Sequence, residues 1–522
     1  MIGYMTNNKI TGNLTDTNSK RIAKNTLLLY VRMFVTMLIQ LYTSRIVLKT
    51  LGVNDLGIYN VVGGVVTLFA FLNIAMSSST QRYITFYLGK GDIEQLRTVF
   101  SHCFLVHVAI AVIAVILSET IGLWLLYNKM IIPEERMFAA FWVYQCSIIS
   151  TVLMIFTVPF NSDIIAHEKM SVFAYVSIAE VVLKLLIVYL LWIISWDKLI
   201  LYAILLVCVQ IVIRGVYRLY CRKNFEETRI IWKFDRNLLK EIVSFVGWNI
   251  FGGLSNVLYS QGLNIMLNSF FGPVVNTARG FAVQVQNAIL QFSQNFQTAI
   301  NPQITKSYST GDLKNMHNLI FKSARFTFMM LWILSLPVFL EADFLLKLWL
   351  INVPDWTVQF LRIMLCIIIL DSVANPLMIA SAATGRVKTY QIVIGCIMLM
   401  ILPVAYLFLK LGFNPDSVFY VHLFFCIIAF IARMILVKGM INLSLKDFSR
   451  EVLVKCLIVG VTSMLPYVIM RYAGCCSLNS FVSILIYVGF TAICILLFGI
   501  TTDERQFALS KIKTLMGVQH KR

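Results

Sequence analysis

The sequence predicts an all-α polytopic membrane protein of about fourteen transmembrane helices, arranged as two six-helix lobes in parallel repeat with an extra C-terminal pair. Three observations carry that expectation. Hydrophobic residues make up 59% of the 522 and charged residues 13%, with a mean hydropathy of +0.80, a balance foreign to a water-soluble chain of this length. Apolar runs of roughly the 20 residues that span a bilayer recur along the whole chain. Two blocks set 220 residues apart share one layout: Gly52, a polar-dotted apolar run and Gly91-Asp92, then Gly272, a similar run and Gly311-Asp312.

The apolar runs fall at 25–48, 57–81, 99–126, 137–160, 170–195, 199–220, 241–269, 274–303, 319–341, 356–383, 388–410, 417–440, 452–471 and 479–500. Residues 1–24 are polar (Asn7, Asn8, Thr11, Asp16, Asn18, Ser19) and lead straight into the first run. No cleavable secretory signal is expected, and the first span serves as the insertion signal. The eleven cysteines are scattered through apolar runs without CxxC or Cys/His spacing, which suits small buried hydrophobes; Cys475-Cys476, in an outer loop, are the exception.

Lysines and arginines set the orientation. The N-terminal tail, the even-numbered loops and the C-terminal tail carry 32 of them, against seven on the odd-numbered loops, so both termini are expected in the cytoplasm. The richest segment follows span six: Arg214, Arg218, Arg222, Lys223, Arg229, Lys233, Arg236 and Lys240. The net charge of +19 is thus a topology signal, spread over too many loops to form a nucleic-acid patch.

Six spans separate the two repeated blocks. An even number means that the second bundle enters the membrane in the same direction as the first, with a repeat axis along the membrane normal. The expected organisation is a cytoplasmic tail (1–24), an N-lobe (25–220), a basic cytoplasmic linker (221–240), a C-lobe (241–440), the extra pair (441–502) and a second cytoplasmic tail (503–522). Two copies of one bundle packed around a shared pathway is a transporter architecture.

The eighth span is the most polar. On an ideal helix Asn276, Arg279, Gln284, Gln286, Asn287, Gln291, Ser293, Gln294, Asn295, Gln297 and Thr298 fall within about 200°, opposite Phe281, Val285, Ala288, Ile289, Phe292, Phe296 and Ala299. Amides facing lipid are costly, so this face meets either partner helices as hydrogen-bond glue or water. The number of amides, with an arginine among them, favours a solvated cavity. The first span carries a narrower stripe of Asn25, Arg32, Thr36, Gln40 and Thr43, within about 80°. Arg32, near mid-helix, costs roughly 2.5 to 3.5 kcal/mol on insertion scales and calls for a partner or a wet pocket. The primary cavity candidates are Arg32, Gln40, Arg279, Gln284, Asn287, Gln291 and Gln294; Arg45 and Asp371 are secondary.

Arg45 is equally explained by snorkelling from the outer end of its helix. Asp371 lies deep in span ten with no base nearby in sequence, followed by Asn375 and the helix-bending Pro376. It reads either as a hydrogen-bonding group or as a proton or cation site. Glu180 and Lys184 stand i,i+4 as a self-neutralising pair, while Arg362 and Glu119 belong to the interface. No catalytic constellation emerges: His102, His107, His167, His317, His422 and His520 form no ligand pair, no GxxxxGK[ST] is present, and the loops are short. No enzyme activity, metal or cofactor is expected.

A resemblance adds to these readings. Leu41-Tyr42-Thr43-Ser44-Arg45-Ile46-Val47-Leu48, Leu51-Gly52, the run from Leu56-Gly57-Ile58-Tyr59-Asn60 to Gly63-Gly64-Val65-Val66, and Thr80-Gln81-Arg82-Tyr83 resemble the opening of the MOP-superfamily oligosaccharide flippases, more narrowly the Wzx-type O-antigen and capsule-unit transporters. Asn301-Pro302-Gln303, Gly311-Asp312 and Ala382-Ala383-Thr384-Gly385-Arg386 fit the same pattern in the second lobe. The resemblance implies a flippase that moves an undecaprenyl-pyrophosphate-linked oligosaccharide to the outer leaflet of the bacterial inner membrane by alternating access. It also implies polymerase or assembly proteins as partners, and cavity cations at positions matched here by Arg32 and Arg279. Guanidinium suits pyrophosphate and amides suit sugar hydroxyls. A lipid II flippase and a MATE-like cation-coupled exporter are the alternatives. The first shares the fourteen-span count; the second would want acids in the cavity.

Overall fold

The computed structural model describes residues 2–67, 70–128, 130, 132–193, 196–231, 233–350, 353–472, 480–501 and 504–505. Every regular element among them is helical: α1 (Ile2–Thr67), α2 (Ala70–Lys90), α3 (Ile93–Leu117), α4 (Leu123–Asn128), α5 (Met137–Ala166), α6 (Met170–Leu190), α7 (Lys198–Asn224), α8 (Arg236–Phe271), α9 (Pro273–Ser309), α10 (Leu313–Leu340), α11 (Ala342–Trp349), α12 (Thr357–Thr384), α13 (Val387–Leu399), α14 (Ile401–Lys410), α15 (Ser417–Ile441), α16 (Leu445–Phe448), α17 (Val454–Thr462), α18 (Leu465–Tyr472) and α19 (Ser480–Cys494). An all-helical chain is what hydrocarbon demands, because a helix satisfies its own backbone polar groups. Cys475 and Cys476 lie outside the described residues.

Among the described residues twelve helices are long and apolar enough to cross a membrane. They account for all the expected spans except the second and the eighth, which are the repeat equivalents of each other. The second runs across residues outside the description. The eighth is α9, whose 37 residues reach about 55 Å but carry too many amides to count as apolar.

The repeat is written into the backbone. Gly52 (φ 77°), Gly91 (φ 73°), Gly272 (φ 79°) and Gly311 (φ 76°) all have positive φ, so the glycines paired by the repeat share a backbone sign that favours glycine. Gly52 combines φ 77° with ψ 173°, a region that essentially only glycine occupies. The following connection is capped by Asp92, whose carboxylate accepts from the Gln95 amide at 3.0 Å.

The chain divides into two compact units: Met1–Leu254 with Thr298–Asp312 and Gly385–Ile392, and Ser255–Gln297 with Leu313–Thr384 and Val393–Arg522. In the first, α5 packs on α7, α1 on α6 and α2 on α5. Phe100, Ile164, Val188, Tyr217 and Cys221 lie in its core. In the second, α12 packs between α10 and α15, with the Phe360 and Phe419 rings 4.6 Å apart.

The terminal helices join the second unit through α10. The Trp332 indole donates to Ser463 Oγ at 2.7 Å, and the buried Arg325 guanidinium meets Glu504 at 2.8 Å and Glu451 at 3.8 Å. Arg325 and Arg433 counted as loop charges in the orientation tally. Both instead lie inside long apolar helices, α10 and α15, where ion pairs neutralise them.

Replacing Gly52 by alanine should lower stability by about 1–3 kcal/mol, since a Cβ there meets no atom within 4 Å and only backbone strain acts. Gly57→Ala, equally unobstructed and inside α1, should be neutral or stabilising by about 0.5–1 kcal/mol. Thermal unfolding of both variants in detergent distinguishes the two; equal shifts would show that backbone conformation at Gly52 is not what matters.

Candidate functional site

The polar groups of α1 sort by depth. Arg32 is half-buried with its guanidinium carbon 4.7 Å from the centre of the Phe173 ring on α6, a cation–π contact that partly replaces lost hydration. Asn25 is buried and donates to the Glu168 carbonyl at 3.2 Å. Gln40 is exposed and, with Thr43, Ser44, Tyr59, Lys184 and Tyr202, helps to line a cavity of about 320 Å³ in the first unit. The side chain of Arg45 lies outside the described residues.

Lys184 reaches that cavity already neutralised. Its ammonium donates to Glu180 at 2.7 Å, Gln210 donates to the same carboxylate at 3.0 Å, and Arg214 donates to the Gln210 carbonyl at 2.7 Å. The i,i+4 pair seen in sequence is thus one end of a four-residue chain reaching from α6 to α7.

On α9, Gln284, Asn287, Gln291 and Gln294 are all exposed and fall within about 80° of one another. The buried side of the helix holds Ala278, Ala282, Ile289 and Phe296. The broad polar arc expected from sequence is narrower in the structure. Ser293, Asn295 and Gln297 turn inward, with Gln297 donating to Ser293 at 3.1 Å and Asn295 to the Gln291 carbonyl at 3.0 Å, while Ala288 from the apolar arc is exposed. Four primary amides in open surface bring a dense set of donors and acceptors to one face, and hydrocarbon could not satisfy them.

Arg279 leaves this stripe. It is buried at the edge of the inward face, where its guanidinium bonds the Asn264 side-chain carbonyl and the Ser260 backbone and hydroxyl oxygens of α8. Its partners are neutral, so its positive charge is held in place rather than cancelled.

Asp371 has a base that its sequence neighbourhood does not show: Arg433 of α15 donates to its carboxylate at 2.9 Å. Arg362 pairs with Asp343 at 3.0 Å and also donates to the Phe339 carbonyl, as an end-of-helix anchor does. Glu119 accepts from Gln145 at 3.4 Å. Sequence reasoning missed Arg325 and Arg433 because each was counted with a loop. It also missed the meeting of Tyr259 with His422, whose hydroxyl and Nδ1 are hydrogen-bonded across 163 residues. The histidines showed no ligand spacing, yet the fold sets His167 beside Asp163 and Glu227, with their ligating atoms within 4.8 Å of one another. The i,i+4 spacing of Asp163 and His167 was legible; Glu227 was not.

Comparison with known proteins places this helical architecture. The MatE family model matches residues 29–190. An outward-facing multidrug resistance MATE family transporter of the MOP superfamily superposes with a TM-score of 0.69 at 15% identity, covering 81% of this chain and 96% of that one. The MATE transporter ClbM in complex with Rb+ gives 0.66 at 14%, covering 82% and 97%. A MOP superfamily transporter from Pyrococcus furiosus, for which a reversed polarity of the binding pocket suggests a different function, gives 0.64 at 14%, covering 81% and 96%. No curated protein matches the chain. The fold is that of the MATE/MOP-superfamily transporters, and MATE family members are transporters, not enzymes.

Two expectations follow. Single cysteines at 284, 287, 291 and 294 in a cysteine-free background should react with a membrane-impermeant thiol reagent, while those at 282, 289 and 296 should not; equal labelling of the two sets would remove the solvated stripe. Asp371→Asn should lower the melting temperature by leaving Arg433 without its counter-charge, and Asp371→Asn with Arg433→Gln should recover part of the loss. A single variant as stable as wild type would make the pair irrelevant to stability.

Proposed function

We propose that the chain is a MOP-superfamily transporter that moves an undecaprenyl-pyrophosphate-linked oligosaccharide across the bacterial cytoplasmic membrane for surface polysaccharide assembly, by alternating access. The exposed amide stripe of α9 carries this reading. Gln284, Asn287, Gln291 and Gln294 each present two N–H donors and a carbonyl acceptor, the complement of sugar hydroxyls that both give and accept hydrogen bonds. An organic cation would find little use for them.

Charge supports the same direction. The acids most available to a cation are already paired, Glu180 with Lys184 and Asp371 with Arg433. Arg279, in contrast, is held by neutral oxygens of α8, and the Arg32 guanidinium lies over the Phe173 ring. Such guanidinium groups attract a pyrophosphate, which accepts bidentate hydrogen bonds. Moving about two negative charges outward across an inside-negative membrane releases roughly 4 to 5 kcal/mol per 100 mV, enough to drive transport without a coupled ion.

A second reading, a MATE-like cation-coupled exporter, draws on the family match over 29–190 and on the superposed MATE structures. A lipid II flippase would use the same diphosphate and sugar chemistry as the first. Proteoliposomes separate the three. With an imposed inside-negative potential, a fluorescent undecaprenyl-pyrophosphate oligosaccharide should change leaflet, faster than lipid II, and an organic cation should not be exported. Arg32→Ala should slow flipping at least about tenfold with Lys restoring it only in part, because an ammonium lacks the planar fork. Proton- or sodium-driven export of the cation without flipping would overturn the proposal.

A further inference from the structure

At one end of the first unit, outside the candidate transport site, two buried carboxylates and an imidazole converge. Asp163 lies in the last turn of α5 and His167 just beyond it. Glu227 lies in a short 3-10 turn, Glu226–Thr228, that follows α7. His167 Nε2 is 2.6 Å from a Glu227 oxygen and 3.8 Å from an Asp163 oxygen. All three ligating atoms lie within 4.8 Å of one another.

The charge balance of this group does not close. Asp163 is fully buried, and no N–H or hydroxyl donor serves either of its oxygens. It also sits at a helix C-terminus, where the peptide dipoles disfavour an anion. Among the described residues no lysine or arginine forms an ion pair with Asp163 or Glu227. The nearby cations Arg21 and Lys306 are committed to Glu168, at 2.8 and 3.0 Å. Two buried carboxylates beside a single imidazole nitrogen are a donor set that a cation completes.

We infer that Asp163, His167 and Glu227 form a binding site for a divalent first-row transition ion of the zinc class, anchoring the turn after α7 to the end of α5. The donor set suits that class: one imidazole and two carboxylates, leaving a fourth position for water. Zinc–ligand bonds near 2.1 Å in a tetrahedral site put ligand atoms about 3.4 Å apart, so the observed 2.6 and 3.8 Å bracket the geometry and side-chain shifts of under about 1 Å complete it. The ion would displace any proton held on Nε2, which then points a lone pair into the site. The ring is already oriented: it stacks on Phe225 with centroids 4.1 Å apart and planes 6° from parallel. Phe225 is in turn fixed at the end of α7, its amide donating to the Cys221 carbonyl and its carbonyl accepting from the Thr228 hydroxyl. His167, whose side chain is 23% exposed, gives the ion its path from solvent.

The test uses the full chain, purified in detergent through a tag without histidines, stripped with a chelator and loaded with Zn²⁺ or Co²⁺. Wild type should retain about one equivalent of zinc after desalting, show the visible bands of four-coordinate Co²⁺, and melt at a higher temperature with metal than without. His167→Ala and Glu227→Gln should each retain at least about tenfold less metal and lose the metal-dependent rise in melting temperature. Glu227→Gln keeps the size and hydrogen bonding of the native side chain, so it reports on ligation even if other variants fail to fold, with circular dichroism as the check. Wild type that retains under about a tenth of an equivalent, or variants that retain as much as wild type, would overturn the site and leave a proton-sharing carboxyl pair in its place.

Discussion

Hydrocarbon cannot hydrogen-bond, and every polar choice in this chain answers to that fact. Ionised side chains are admitted to apolar helices mostly as closed pairs: Glu180 with Lys184, Asp371 with Arg433, Arg325 with Glu504. Each pair joins residues on the same or different helices and cancels the charge of both. The pairs therefore bind helices together as well as cancel charge. Arg325 does most in this respect, since it ties the terminal helices to α10.

Against that background the exceptions carry the meaning. The amides of α9 are exposed, and the guanidinium groups of Arg32 and Arg279 rest on an aromatic face and on neutral oxygens. These contacts are with neutral groups, unlike the carboxylate contacts of the paired lysine and arginines above. Under the proposed function, uncharged amides would suit hydroxyl groups and the guanidinium groups a diphosphate, without demanding a particular sugar.

Much of this was legible in the sequence because membrane helices are marked by composition alone. The spans appeared as apolar runs, and the repeat as paired glycines whose positive φ the structure then displayed at Gly52, Gly91, Gly272 and Gly311. The amide face of α9 could be drawn on a helical wheel, although a wheel could not show that Asn295 and Gln297 turn inward, because that depends on which neighbours pack there. Asp371 looked unpartnered since its base lies 62 residues away, on a helix whose packing only the fold reveals. The same holds for His167 and Glu227, 60 residues apart.

The polarity of α9 also bears on how the protein is made. A helix of its composition would partition poorly into lipid by itself as it leaves the ribosome, whereas α8 is apolar enough to enter. Only Gly272 separates the two, and Arg279 of α9 bonds Asn264 and Ser260 of α8. The two helices are thus equipped to enter as one antiparallel hairpin, the apolar arm carrying the polar arm, with the arginine's hydrogen bonds already formed. Substitutions that weaken the Arg279 contacts are therefore expected to lower the yield of inserted protein as well as any transport.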